Sequence, residues 1–413
     1  MFPMINIGPL AIQAAGFILL LSLFLGFYLT GKFSTNLGTH AEAIENGVLI
    51  GVIAGILGAR LGFMLKNPSL LLNNPLNLLS LTPSMLDRSF GPLIGILAII
   101  ILAQKKHLPL WPTLDTMTPL FLLLYMGVHL ANYANGNAYG TPTGLPWGIS
   151  LWNATRHPVQ VYAFLLGAAL LLGLLIHTKM LKTTGFMRSG VLFNAAMAGI
   201  AMITLFTRAF TAEKRLLGRF DVYQLSAFAL LLGALTLLYK RAYPDKQRIS
   251  AIISMGSNVE PQVKFSQAEK ILSEQFRIRR RSSIYQTEDV NQRPGVQPFL
   301  NRVLEIETAL SFPELVTQLK AIEKQLGRIQ GEKTRVALDL DILTYGDDVF
   351  FRADHHIPSP DLLKYRYLVM PLAEMSPDFR HPANGISIQE ILYKITDQAQ
   401  IIRINEVENG IKG

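Results

Sequence analysis

The 413 residues predict a multidomain chain: an all-α polytopic membrane domain of about seven spans, then an α+β soluble domain of ferredoxin-like plan. Three observations carry this expectation. Long apolar runs crowd the first 240 residues, charge is divided unevenly along the chain, and strand-like and helix-like stretches alternate after Arg248. The same pattern sets the boundaries, with 1–243 in the membrane, 244–248 as linker and 249–413 as the soluble domain.

Residues 1–240 hold 15 Lys/Arg against 6 Asp/Glu, whereas residues 241–413 hold 23 of each, so the whole net charge of +9 belongs to the first part. Apolar runs joined by sparse basic loops are what membrane topology produces. The neutral second part lacks the basic face that phosphate-backbone binding requires, so no nucleic-acid partner is expected. The chain has no cysteine, which excludes disulfides and thiolate metal sites.

Seven apolar runs, at 9–30, 47–65, 91–104, 118–134, 159–177, 189–209 and 221–239, approach the length of about 20 residues that crosses a bilayer. The third and fourth are short. The first begins near Leu10 with no basic residue before it, so it reads as a retained span and not a cleaved signal. With the N-terminus outside, the inside loops carry ten Lys/Arg and the outside loops seven, which predicts a cytoplasmic C-terminal domain. The short linker would hold that domain against the membrane surface.

Polar groups inside or beside spans are costly and therefore functional candidates. Arg60 stands between small residues in Gly58-Ala59-Arg60-Leu61-Gly62. His129-Leu130-Ala131-Asn132-Tyr133-Ala134-Asn135-Gly136-Asn137 runs through Gly140 into Pro142 and Leu145-Pro146-Trp147. Arg156-His157-Pro158, Gln160, Tyr162 and Arg208 follow. Each taken alone also fits plain packing, with small residues letting helices approach and Asn or Arg pairing or snorkelling. In order, however, they resemble the prolipoprotein diacylglyceryl transferase family over about 5–240. That family moves a diacylglyceryl group from phosphatidylglycerol to a lipoprotein cysteine in the bacterial inner membrane. The resemblance implies a bilayer lipid as partner and a lipid site at His129, Asn132, Gly140, His157 and Arg208. Three departures stand out. The family's Ser-Phe-His-Gly-Gly is here Ser89-Phe90-Gly91-Pro92, without the His; its signature Arg is His129 and its later acid Asn137; its first-span Tyr is Ala15. Thiol activation needs a proton acceptor and fixed positive charge, so this half is expected to have lost the transfer or to use its pocket otherwise.

In the soluble part, a strand at 249–255 ends in Gly256-Ser257-Asn258, and a helix at 264–276, β runs at 278–287 and 300–309, a helix at 313–326 capped by Ser311, and a strand at 337–345 follow. Asp339 and Asp341 in Leu338-Asp339-Leu340-Asp341 project from one strand face and suit Mg²⁺ held with phosphate oxygens. An acidic edge strand would look the same. Arg328, Lys333 and Arg335 add cations upstream, and no Gly-rich phosphate cradle is present.

Here the chain resembles 6-hydroxymethyl-7,8-dihydropterin pyrophosphokinase over about 249–398. The matches are Gly256-Ser257-Asn258, Ser282 to Thr287, Phe299-Leu300-Asn301, Glu323 with Gly327-Arg328, the Asp339/Asp341 motif and Tyr367 to Leu372. The resemblance implies pyrophosphoryl transfer from ATP to a pterin with two Mg²⁺ on Asp339 and Asp341. Catalysis would fall to Arg328, Arg335, Asp339 and Asp341. ATP would meet Arg328, Lys333, Arg335, Ser359 and Glu323, and the pterin would meet Thr287, Phe299, Asn301 and Tyr367. Two departures bear on rate: Arg335 stands four residues before the first Asp where the family has three, and Pro358-Ser359-Pro360 replaces Pro-His-Pro, with His355 and His356 nearby. Two alternatives remain: a non-catalytic nucleotide or pterin sensor on a lipid-binding domain, and a bifunctional enzyme that also lipidates proteins.

Overall fold

The computed structural model describes residues 4–7, 10–37, 39, 41–69, 87, 90–184, 188–242, 248–289, 293–351, 355–397 and 400–404. Ser89, linker residues 244–247 and the chain beyond 404 lie outside them. The chain divides into two compact units, Met1–Met180 with Ser189–Ala242, and Tyr243–Gly413 with Leu181–Arg188.

The first unit is built on helices α1 (Ala14–Leu37), α2 (Ala41–Lys66), α3 (Phe90–Lys105), α4 (Leu110–Asn135), α5 (Val159–Thr184), α6 (Val191–Ala209) and α7 (Val222–Ala242). Six of them, all but α3, are long and apolar enough to cross a membrane; α3 has 16 residues and falls short of that length. Six candidates among the described residues stand against the expectation of about seven spans. The first run also starts later than its apolar composition suggests, because Met4–Ile7 and Leu10–Gln13 pair as an antiparallel ribbon before α1 begins. The fourth run is longer, a full 26 residues. It takes in Asp115, whose carboxylate is buried and accepts hydrogen bonds from the backbone N–H of Gly190 (2.5 Å) and Phe193 (2.8 Å). Asp115 thus satisfies the open N-terminus of α6 from across the bundle.

Small residues set the helix spacing. A Cβ on Gly95 of α3 would lie 2.8 Å from the Gly51 carbonyl of α2, so the two backbones meet at a distance only glycine permits. At the end of the same seam, Phe90 lies against Gly62.

The second unit centres on strands β1 (Ile249–Ser257), β2 (Arg277–Arg281), β3 (Ile284–Thr287), β4 (Phe299–Thr308), β5 (Asp339–Tyr345) and β6 (Ile401–Ile404). They form one antiparallel sheet ordered β5-β1-β4-β3-β6, with β2 also pairing β4. Helices α8 (Pro261–Gln275) and α9 (Phe312–Gln325) cover one face, where Ile253 and Met255 pack with Phe265, Leu272, Leu315 and Leu319. Helix α9 starts as Ser311 predicted: the Ser311 N–H donates to Glu314 Oε2 at 2.7 Å. Helices α10 (Arg366–Met375) and α11 (Ile388–Lys394) cover part of the other face, on a smaller core of Ile252, Val303, Leu343, Leu368 and Leu372. That second core stops short of the far strand ends, where a cleft begins.

Candidate active site

Alternation along the strands decides what lines the cleft. Residues on the face of Ile252 and Val303 include Gly256 on β1, Asn301 and Phe299 on β4, and Asp339 and Asp341 on β5. Register puts Asp339, Gly256 and Asn301 side by side on three adjacent strands. Gly256 contributes no side chain between them, so the floor stays open; a Cβ there would already come within 3.4 Å of Asn301 Oδ1. The cleft encloses about 770 Å³. Of the sequence candidates, Thr287, Phe299, Asn301, Arg328, Lys333, Asp339, Asp341, Ser359 and Tyr367 line it.

On one side of the cleft, Asn301 Nδ2 donates to Thr287 Oγ1 at 2.8 Å, which fixes both polar ends. Tyr367 stacks on Tyr365 with centroids 5.4 Å apart. Burial, and then the charge of Asp361, push its phenol well above the ordinary value, so it is neutral and able to donate. On the cation side, Asn258 pins the loop that carries Lys333: its Oδ1 accepts from Val336 N (2.7 Å) and its Nδ2 donates to Thr334 O (2.8 Å). Gly327 (φ +92°) turns the chain out of α9 so that Arg328 enters the cleft, its Nε 3.9 Å from Asp339 Oδ1.

Two candidates do not join the lining. Arg335 is exposed and outside it. Glu323 is buried, its Oε1 taken by Leu340 N and Lys320 Nζ, each at 2.7 Å. Ser359 does reach the cleft, but its Oγ accepts from Asp361 N at 3.4 Å. His355 and His356 line the same cleft.

Sequence reasoning missed Lys320. It rises from α9 on the opposite face and reaches past β5, the edge strand, to lie 3.9 Å from both Asp339 Oδ1 and Asp341 Oδ1. Burial opposes its charge, but the hydrogen bond to Glu323 and the charges of Asp341, Glu323 and Asp339 outweigh that and raise its pKa. Crowding by protein, and next the like charge of Asp339, push the Asp341 carboxyl up. Two like charges on one strand face call for a cation. Their hard oxygen donors suit a magnesium-type ion, and no cluster of three or more His, Asp or Glu placed for a metal occurs among the described residues. An ion here would complete its shell with phosphate oxygens and water.

The membrane-half candidates are distributed differently. Gly140 packs so closely on His157 that a Cβ would meet the His157 carbonyl at 2.3 Å. His157 Nδ1 lies 3.3 Å from Tyr162 OH. His129 and Asn132 sit on α4, the imidazole edge-on to Tyr125 at 4.6 Å. Arg208 is committed elsewhere, its Nε donating to Asp221 Oδ2 at 2.7 Å and its Nη2 to the Glu213 carbonyl at 2.9 Å.

Both halves have relatives that match these arrangements, and together they define a membrane-embedded transferase domain fused to a pterin kinase domain. Residues 3–240 match the model of prolipoprotein diacylglyceryl transferase, and the chain belongs to that family. Residues 252–377 match 7,8-dihydro-6-hydroxymethylpterin-pyrophosphokinase and belong to that one. A phosphatidylglycerol–prolipoprotein diacylglyceryl transferase of Thermus thermophilus is 36% identical over 148 residues, 36% of this chain and 53% of its own length. One of Rickettsia conorii is 30% identical over 220 residues, covering 49% and 83%. A 2-amino-4-hydroxy-6-hydroxymethyldihydropteridine pyrophosphokinase of Synechocystis sp. is 32% identical over 149 residues, covering 35% and 75%. The chain spans about half the length of the Thermus relative. A crystal structure of Plasmodium falciparum HPPK-DHPS with pterin and p-hydroxybenzoate overlaps 36% of this chain and 43% of its own at 11% identity and a TM-score of 0.29, too loosely to carry an argument.

Proposed function

We propose that the soluble half transfers pyrophosphate from ATP to the hydroxyl of 6-hydroxymethyl-7,8-dihydropterin, and that the membrane half anchors it. The observation that carries this reading is the convergence of an acid pair, two cations and an aromatic–amide set on one cleft. The pterin hydroxyl oxygen forms a bond to the β-phosphorus, the bond from that phosphorus to the α-phosphate oxygen breaks, AMP leaves, and the hydroxyl proton passes to solvent. Phe299 and Tyr367 hold the pterin ring, worth about 1–3 kcal/mol per stack if base stacking is a guide, while Asn301 and Thr287 read its polar edge. Arg328 and Lys333 bind the phosphates with Ser359, and Arg335 would have to swing in from outside the cleft to join them. Glu323 acts on ATP only indirectly, by holding Lys320 beside the acid pair. Mg²⁺, two ions by the family's chemistry, is held by Asp339 and Asp341 and supplies charge neutralisation at the phosphate oxygens. His355 and His356 replace the imidazole absent at Ser359, an arrangement that favours turnover over mere sensing.

The finer architecture belongs to the same reading. The order β5-β1-β4-β3 supports a ferredoxin-like plan, and α3 would serve as a seventh span. The loop charges support a cytoplasmic soluble domain on a bacterial inner membrane. In the membrane half, the lipid site at His129, Asn132, Gly140, His157 and Arg208 holds bilayer lipid, phosphatidylglycerol by family, without transferring it. The test is Mg²⁺-dependent AMP release from ATP plus hydroxymethyldihydropterin by the full-length protein. Lack of AMP from folded, membrane-inserted protein would refute the kinase reading.

A further inference from the structure

We infer that Lys320 is a positioning residue that fills the acid pair as a resident cation and makes metal and nucleotide binding depend on each other. The inference rests on the acid pair being the metal site proposed above. Three carboxylates, those of Glu323, Asp339 and Asp341, surround one ammonium, at 2.7, 3.9 and 3.9 Å from its Nζ. Glu323 is buried and tied to Leu340 N, so it holds the lysine at this position. The two aspartates accept the ammonium at longer range, a geometry that attracts without locking. A divalent ion arriving at Asp339 and Asp341 meets this fixed positive charge at close quarters and is disfavoured by it. A bound polyphosphate beside the acid pair offers the ammonium an alternative anion, since about half of the lysine side chain is exposed. Nucleotide therefore removes the competitor from the acid pair, and the metal removes the acids' hold on the lysine. By reciprocity, each ligand strengthens the other.

The experiment is a Mn²⁺ titration of full-length protein and Lys320→Gln, read by electron paramagnetic resonance, with and without a non-hydrolysable ATP analogue. Gln keeps a donor for Glu323, and Lys320→Met serves as a second variant if Gln perturbs the fold. Expected is Mn²⁺ binding to the nucleotide-free variant about tenfold tighter than to the wild type, with the analogue's enhancement of Mn²⁺ affinity reduced by a similar factor. Equal Mn²⁺ affinity and equal enhancement in both proteins would overturn the inference and leave the kinase reading standing. Weaker Mn²⁺ binding in folded variants would also overturn it, since Lys320 would then order the acids and not compete for them. No Mn²⁺ binding to wild type even with the analogue would contradict the acid-pair site itself, and the inference with it.

Discussion

The two halves use their polar side chains in opposite ways. In the soluble half they converge: Asp339, Asp341, Asn301, Arg328 and Lys333 arrive from two strands and a loop on one open cleft. In the membrane half they are spent on the fold. Arg208 holds Asp221, Arg156 donates to the carbonyls of Leu151 and Gly140, Gln160 donates to the Asn137 carbonyl, and Asp115 caps α6. On the proposed reading, the family signature of the membrane half serves architecture.

The largest test of this contrast is Asp339→Ala. It should lower AMP release by on the order of 100- to 1,000-fold, the cost of removing a preorganised charge stabiliser, with little change in thermal unfolding because the side chain packs in no core. Arg208→Ala should do the reverse, leaving AMP release intact while lowering the stability of the membrane half by about 3 kcal/mol or more, since Asp221 is left buried and unpaired. An Arg208 variant that folds normally would break the comparison. Phe299→Ala should raise the pterin KM about 10- to 100-fold with kcat less affected, the equivalent of one lost stack. Gly256→Val should have a comparable effect by filling the floor between Asp339 and Asn301. Among the smaller effects is one of pH. Burial works against the Glu305 carboxylate, but its bonds to Ser250 and Arg280 outweigh this and hold its pKa below the ordinary 4.5. The stability it contributes is present above pH 4.5 and is lost as pH falls through the lowered value. Glu305→Gln should flatten the acid limb of the stability profile, measured by urea unfolding.

The site was legible in sequence wherever period decided it. Asp339 and Asp341 share a face because strands alternate, and Asn301 joins them because β4 carries the same alternation. Lys320 was not legible, because its approach depends on α9 lying under the edge strand, a tertiary fact that no local spacing records. Nor was the commitment of Glu323 beneath the sheet. In the membrane half, the place of Asp115 was not legible, since its carboxylate is satisfied in space by the N-terminus of a helix 75 residues away. Nor was the pairing of Arg208 legible, its partner Asp221 lying beyond the end of its helix. Strand β6 and helix α11 carried no distinctive pattern of their own, and α10 only its run Tyr367 to Leu372; the apolar residues of α10 and α11 make sense against the face they cover.

One preparation of full-length protein in anionic-lipid nanodiscs decides the central claim, that chemistry resides in the soluble half and structure in the membrane half. AMP release from ATP and hydroxymethyldihydropterin should be Mg²⁺-dependent and abolished by Asp339→Ala, while a prolipoprotein peptide in the same nanodiscs gains no diacylglyceryl group. Peptide lipidation without AMP release would contradict the account.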